Sequence, residues 1–166
     1  IAEPLRLHLG LDTNEAKERT VELFNLVGIP SAEERLKQYP HEFSGGMLQR
    51  VMIAMGLSCN PKILIADEPT TALDVTIQAQ ILNLVKDLKE KIGMSIIWIS
   101  HDLGVVAALA ERIIVMYAGL IVEEAPVKEL YRNPLHPYTK ALLKALPNLN
   151  TVPKTKLTTI GGVPPV

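Results

Sequence analysis

The sequence predicts an α/β fold with a mainly parallel sheet and flanking helices, on three observations. Ile63-Leu64-Ile65-Ala66 is a short apolar run that leads straight into Asp67, Glu68 and Pro69. A run of that kind, bounded by breakers, suits a strand buried on both faces. Ile77, Ile81, Leu84, Val85, Leu88 and Ile92 then repeat at helical spacing up to Gly93, and Ser95–Ile99 forms a second apolar run. Strand, helix, strand at this length is a βαβ unit, whose crossover is expected to be right-handed.

The other elements follow in order. Ile1–Gly10 has no clear period and is expected to be an edge or linker. Asp12-Thr13-Asn14-Glu15 has the pattern of a capping box, and Ala16, Thr20, Leu23, Phe24 and Val27 share one face of the helix it opens. Gly28 and Pro30 end that helix. Ser31–Phe43 is polar and predicts a short helix and loop. Met47–Leu57 is apolar nearly all round, which predicts a buried helix. Leu103–Ala110 is a short helix. Arg112–Tyr117 and Leu120–Ala125 pair as a hairpin about Ala118-Gly119. Pro126–Tyr131 and Pro137–Leu146 are helices, and Asn148–Val166 is expected to be irregular.

Bulk properties narrow the function classes. The 166 residues can bury a sizeable core, and 48% hydrophobic with 21% charged residues is an ordinary soluble composition. A net charge of -1 argues against a nucleic-acid partner that needs a broad basic surface. The single cysteine, Cys59, excludes an internal disulfide and suits a reducing cytoplasm. Ile113–Val122 is too short an apolar run to span a bilayer, and no signal peptide is visible. Cys59, the methionines and Trp98 are expected in the core, and His8, His41 and His136 are expected to be structural or exposed.

Three places carry candidate chemistry. Asp67 and Glu68 stand at a strand end, where open α/β sheets bind ligands. Successive strand residues point to opposite faces, so one carboxylate can hold a metal while the other acts on a water; an acidic strand end is also a common solvated loop start. Ser44-Gly45-Gly46 opens a helix with a hydroxyl, free N–H groups and the positive end of the dipole. That is an anion site or, equally, a serine cap with glycines for tight packing. His101, in Ser100-His101-Asp102, follows the second strand. If the two strands are neighbours, His101 emerges beside Asp67 and Glu68. Asp74 caps the helix that follows the first strand.

With those residues in place, the sequence resembles the ATP-binding subunit of an ABC transporter. Phe43-Ser44-Gly45-Gly46-Met47 is similar to the signature, and Ile63–Glu68 to the Walker B strand with its catalytic glutamate. Thr71-Ala72-Leu73-Asp74 is similar to the D-loop, and Ser100-His101-Asp102 to the switch-histidine loop. Tyr39–Met47, Val115–Gly119, Asn133–Thr139 and Gly161–Pro165 resemble the oligopeptide/dipeptide importer branch. A G-x-x-x-x-G-K-[ST] phosphate loop and the glutamine loop are not found, and Met47 stands where the signature commonly has glutamine. The chain is accordingly expected to be an incomplete P-loop NTPase-like core. Residues 1–60 would be part of a helical signature subdomain, 61–125 the ATPase core and 126–166 a C-terminal extension of the peptide-importer type.

The resemblance also implies a mechanism and partners. Two ATPase subunits would sandwich ATP and Mg²⁺, with Ser44, Gly45 and Gly46 serving the partner's nucleotide in trans. Asp67 would hold Mg²⁺ through water, Glu68 would polarise the attacking water, His101 would contact the γ-phosphate, and Asp74 would sit at the subunit interface. The further partners implied are two transmembrane permease subunits and an extracytoplasmic substrate-binding protein, at the cytoplasmic face of the cell membrane. Nickel import and a non-transport ABC ATPase are the alternatives, and the isolated residues are expected to be inactive.

Overall fold

The computed structural model describes residues 1–71 and 73–145. The fold divides after Ile99 into two compact units.

The first unit opens with four helical segments. Helix α1 (Ala2–Leu9) occupies the stretch expected to be an edge or linker. Only Leu5 of its eight residues is buried, so one anchor against α2, rather than a periodic stripe, holds it. Helix α2 (Thr13–Leu26) starts at the expected capping box: Asp12 Oδ1 accepts from the Asn14 and Glu15 amides, and Glu15 Oε2 accepts from the Asp12 amide at 2.8 Å. Its predicted apolar face, Ala16, Thr20, Leu23, Phe24 and Val27, is buried throughout. After α2 the chain turns at Gly28, where φ is 73°, and a Cβ there would meet the Arg50 guanidinium at 2.9 Å. Arg50 uses that proximity to donate to the Val27 carbonyl, closing the end of α2 from a later helix. Helix α3 (Ala32–Arg35) and a 3₁₀ turn at Pro40–Glu42 make up the short helix and loop.

Helix α4 (Gly45–Leu57) packs on α2 and buries Ile53, Ala54 and Leu57. The expectation that it is buried all round is wrong. Leu48, Met52 and Met55 are exposed on its other side, Met52 by 56%. Strands β1 (Ile63–Asp67) and β2 (Ser95–Ile99) pair in parallel, with Ile65 opposite Ile97 and Asp67 opposite Ile99. Helix α5 (Val75–Ile92) makes the crossover, with Ile81, Val85 and Leu88 buried. The strands are not covered on both faces. Ile63, Ile65, Ile97 and Ile99 are 46–65% exposed, all on one face of the pair. Apolar character on both faces was a correct reading of the sequence, but among the described residues only one face is covered.

The core expectations are also corrected in part. Met94 is buried, but Met116 is exposed, and Cys59 and Trp98 are half-buried.

The second unit begins with helix α6 (Leu103–Leu109). The predicted hairpin follows as β3 (Arg112–Tyr117) and β4 (Leu120–Pro126), antiparallel, with an irregularity between Val115 and Met116. Helices α7 (Val127–Arg132) and α8 (Pro137–Lys144) come next. Ile113, Val115 and Leu130 form the core, with Val106, Val122, Tyr131 and Leu143 packed around it. The end of the expected last helix at Leu146, the irregular tail and Gly161–Pro165 lie outside the described residues, as does Ala72 of the D-loop-like segment. No helix among the described residues is long and apolar enough to cross a membrane.

Candidate functional site

Asp67 is the last residue of β1 and is exposed. Glu68 follows in the left-handed region, with φ 48°. For a residue with a side chain that conformation costs about 1–3 kcal/mol and persists only where surrounding bonds enforce it. Those bonds are present. The Glu68 amide donates to the Ile99 carbonyl at 3.0 Å, and the Thr71 amide donates to the Glu68 carbonyl at 3.2 Å. The Thr71 hydroxyl donates to Glu68 Oε2 at 2.7 Å. Thr70 is buried, and its hydroxyl accepts from the Gln78 side-chain amide at 3.2 Å, which ties the turn to α5. The left-handed kink turns the chain between the two carboxylates, beyond the simple alternation of a strand.

Asp74 caps α5 as expected, with Oδ1 accepting from the Ile77 amide at 2.9 Å. Ser44 caps α4 more weakly: its hydroxyl accepts from the Met47 amide at 3.4 Å. The two glycines beside it differ. A Cβ at Gly46 would lie 2.9 Å from Ile77 Cγ2, whereas one at Gly45 would meet nothing within 4 Å. Gly46 thus permits close packing of α4 against α5, and Gly45 keeps the helix start open. The cap-and-packing reading of Ser44-Gly45-Gly46 is met at Ser44 and at Gly46.

A cavity of about 510 Å³ lies on the α2–α4 side of this unit, lined by Thr20, Phe24, Leu36, Phe43, Leu48 and Val51 among others. Neither Asp67 nor Glu68 lines it. Asp67 is exposed and Glu68 half-buried, and this mainly apolar cavity is separate from both. Among the described residues no three His, Cys, Asp or Glu side chains converge as a metal cage. A strand-end carboxylate such as Asp67 suits Mg²⁺, which keeps several waters and takes one or two carboxylates alongside substrate phosphates.

In the second unit Asp102 caps α6, accepting from the Gly104 and Val105 amides, and its own amide donates to Ser100 Oγ at 3.0 Å. His101 is exposed in this turn, two residues after Ile99. The Tyr131 hydroxyl donates to the Leu103 carbonyl, and burial, with the Asp102 charge second, raises its pKa. The Asn133–Thr139 motif is held by Glu123, whose carboxylate accepts from the Leu135 amide at 2.7 Å and the His136 amide at 3.1 Å. Burial acts to raise the Glu123 pKa. The Leu135 amide, the nearby Thr139 hydroxyl, the His136 amide and the His136 charge outweigh it, so the carboxyl is lowered. The Tyr138 ring lies 4.5 Å from that of Tyr117. His8 and His41 are exposed, and His136 caps α8 through Nδ1, as expected of structural or exposed histidines.

Residues 3–71 match the ABC transporter family model, and residues 122–166 match the C-terminal region of oligopeptide/dipeptide transporters. The chain belongs to the ABC transporter family. Among its relatives in this family, the oligopeptide transport ATP-binding protein OppD of Bacillus subtilis is 60% identical over 165 residues, 99% of this chain and 46% of OppD. The dipeptide transport ATP-binding protein DppD of Haemophilus influenzae is 58% identical over 165 residues, 99% of this chain and 50% of DppD. The chain spans about half the length of these ABC transporter relatives. Membership accords with the predicted P-loop NTPase-like α/β core.

Two features of this turn are not legible in the sequence, the Thr71–Glu68 bond and the Thr70–Gln78 bond. The spacing of a hydroxyl three residues after a glutamate was visible, but the left-handed backbone that brings the two together was not.

Proposed function

We propose that these residues form part of an ABC-type ATPase subunit of an importer for oligopeptides or dipeptides. The observation that carries the proposal is the end of β1, where Asp67 and a conformationally fixed Glu68 leave a parallel strand pair in adjacent positions. The relatives' names supply the substrate class. ATP is the substrate. Water attacks the γ-phosphorus, a phosphorus–oxygen bond to water forms, and the bond to the bridging oxygen breaks to release ADP. Glu68 takes the proton from that water, a contribution worth roughly 10²–10⁴ in rate. Ser44 and the amides at Gly45 and Gly46 serve the γ-phosphate of ATP held by a second ATPase subunit, whereas His101 contacts the γ-phosphate on which Glu68 acts and helps to place Glu68. Asp67 would hold Mg²⁺ through water, and that ion would offset phosphate charge when bound. Asp74 lies at the subunit interface. The partners are a second ATPase subunit, two membrane permease subunits and an extracytoplasmic substrate-binding protein, at the cytoplasmic face of the membrane.

The test is Glu68→Gln in the complete subunit that carries these residues. Turnover should collapse by roughly 10²-fold or more while nucleotide still binds, leaving an ATP-clamped dimer. Near wild-type hydrolysis by this variant would reject Glu68 as the base.

A further inference from the structure

A general base must offer one oxygen to water in a fixed direction, yet a glutamate at a chain turn ordinarily samples several rotamers. The Glu68 turn restricts that freedom in two stages. Its backbone is held left-handed by the bond to Ile99 on one side and the bond from Thr71 on the other. Its carboxylate is then held by the Thr71 hydroxyl at 2.7 Å. Thr71 has a firm base of its own, because the neighbouring Thr70 is buried and bonded to Gln78. A hydroxyl has one proton to donate, and here it is spent on Oε2. The bond to Oε2 restricts rotation about the Cγ–Cδ bond, and with it the direction of the second oxygen.

We infer that Thr71 is a positioning residue for Glu68, orienting its carboxylate through the Oγ1–Oε2 hydrogen bond before a water is engaged. The inference rests on Glu68 acting as the base. The threonine methyl has no part in it; the hydroxyl is the working group, so serine should replace threonine and valine should not, although valine has nearly the same shape.

The experiment is steady-state ATP hydrolysis by the complete subunit with Thr71→Val, Thr71→Ala and Thr71→Ser. A hydrogen bond to a charged group predicts that Val and Ala lower kcat about tenfold to a hundredfold, with KM for ATP changed less than about twofold. Ser should restore kcat to within about threefold of wild type. Adding Thr71→Val to Glu68→Gln should cause no further loss, since the group being oriented is gone. A wild-type kcat in Thr71→Val, a raised KM at unchanged kcat, or a Ser variant as slow as Val would overturn the inference. Glu68→Gln, run alongside, separates the two levels. If it hydrolyses ATP normally, the reading of Glu68 fails. If it is inactive while Thr71→Val is normal, only the role of Thr71 fails.

Discussion

The turn that carries Glu68 and the helix start that carries Ser44 lie in the same compact unit and are built on opposite lines. The turn is closed on itself: its backbone is forced left-handed and its carboxylate is already bonded within the chain. The helix start is open, with a long cap bond of 3.4 Å and a glycine facing empty space. A group that must act in one direction gains from restraint supplied in advance. Donors meant for a ligand gain from being left without strong internal partners, since an internal bond would have to be broken first. The contrast fits the proposed roles, a base acting on water and an anion site serving nucleotide from another subunit.

The comparison can be broken most sharply at its open end. Ser44→Arg fills the space before the α4 amides and removes the hydroxyl. Hydrolysis in the complete subunit should fall by about 10²-fold or more, the scale of losing an anion-stabilising donor. In a transporter with two different ATPase subunits, the lesion should map to the phosphate loop of the other chain, read by site-specific hydrolysis assays. Loss at the same chain's loop would contradict service in trans.

The two glycines give a smaller and more local effect. Gly46→Ala drives a methyl against Ile77 and should destabilise by about 1–3 kcal/mol in urea unfolding, less when Ile77→Ala makes room. Gly45→Ala should change stability by under about 0.5 kcal/mol. Equal costs at the two positions would remove the distinction drawn between packing and openness.

Smallest is the difference between the caps. Asp74→Ala should cost about 1 kcal/mol, and Ser44→Ala only a few tenths, because its bond is long. The same unfolding midpoints decide. A Ser44 cap as costly to lose as that of Asp74 would make it an ordinary structural cap.

What could be read from the residues was what depends on near neighbours. The Asp12–Glu15 box, the apolar face of α2, the Asp74 cap and the carboxylates at the end of β1 are all local patterns, and the structure has them where the spacing put them. Helix α1 was missed because a single leucine anchors it, which leaves no period to detect. The open faces of β1, β2 and α4 were missed for another reason. Ile65, Ile97 and Met52 declare what would be favourable to bury, but exposure depends on whether another segment lies over them, and no run of neighbours encodes that. Thr71 was missed because its partnership with Glu68 depends on one backbone angle of unusual sign.

The bond from the Glu68 amide to the Ile99 carbonyl joins main chain to main chain. It asks nothing of either side chain, so the residue at 99 can drift through substitutions that keep the strand without disturbing the direction in which Glu68 points. Only proline at 68, which lacks the amide hydrogen, would sever it outright. The part of the site that most needs constancy is thus attached to its scaffold by a link that point mutation seldom reaches, while the Thr71 hydroxyl, a side-chain link, is lost by one codon change to alanine.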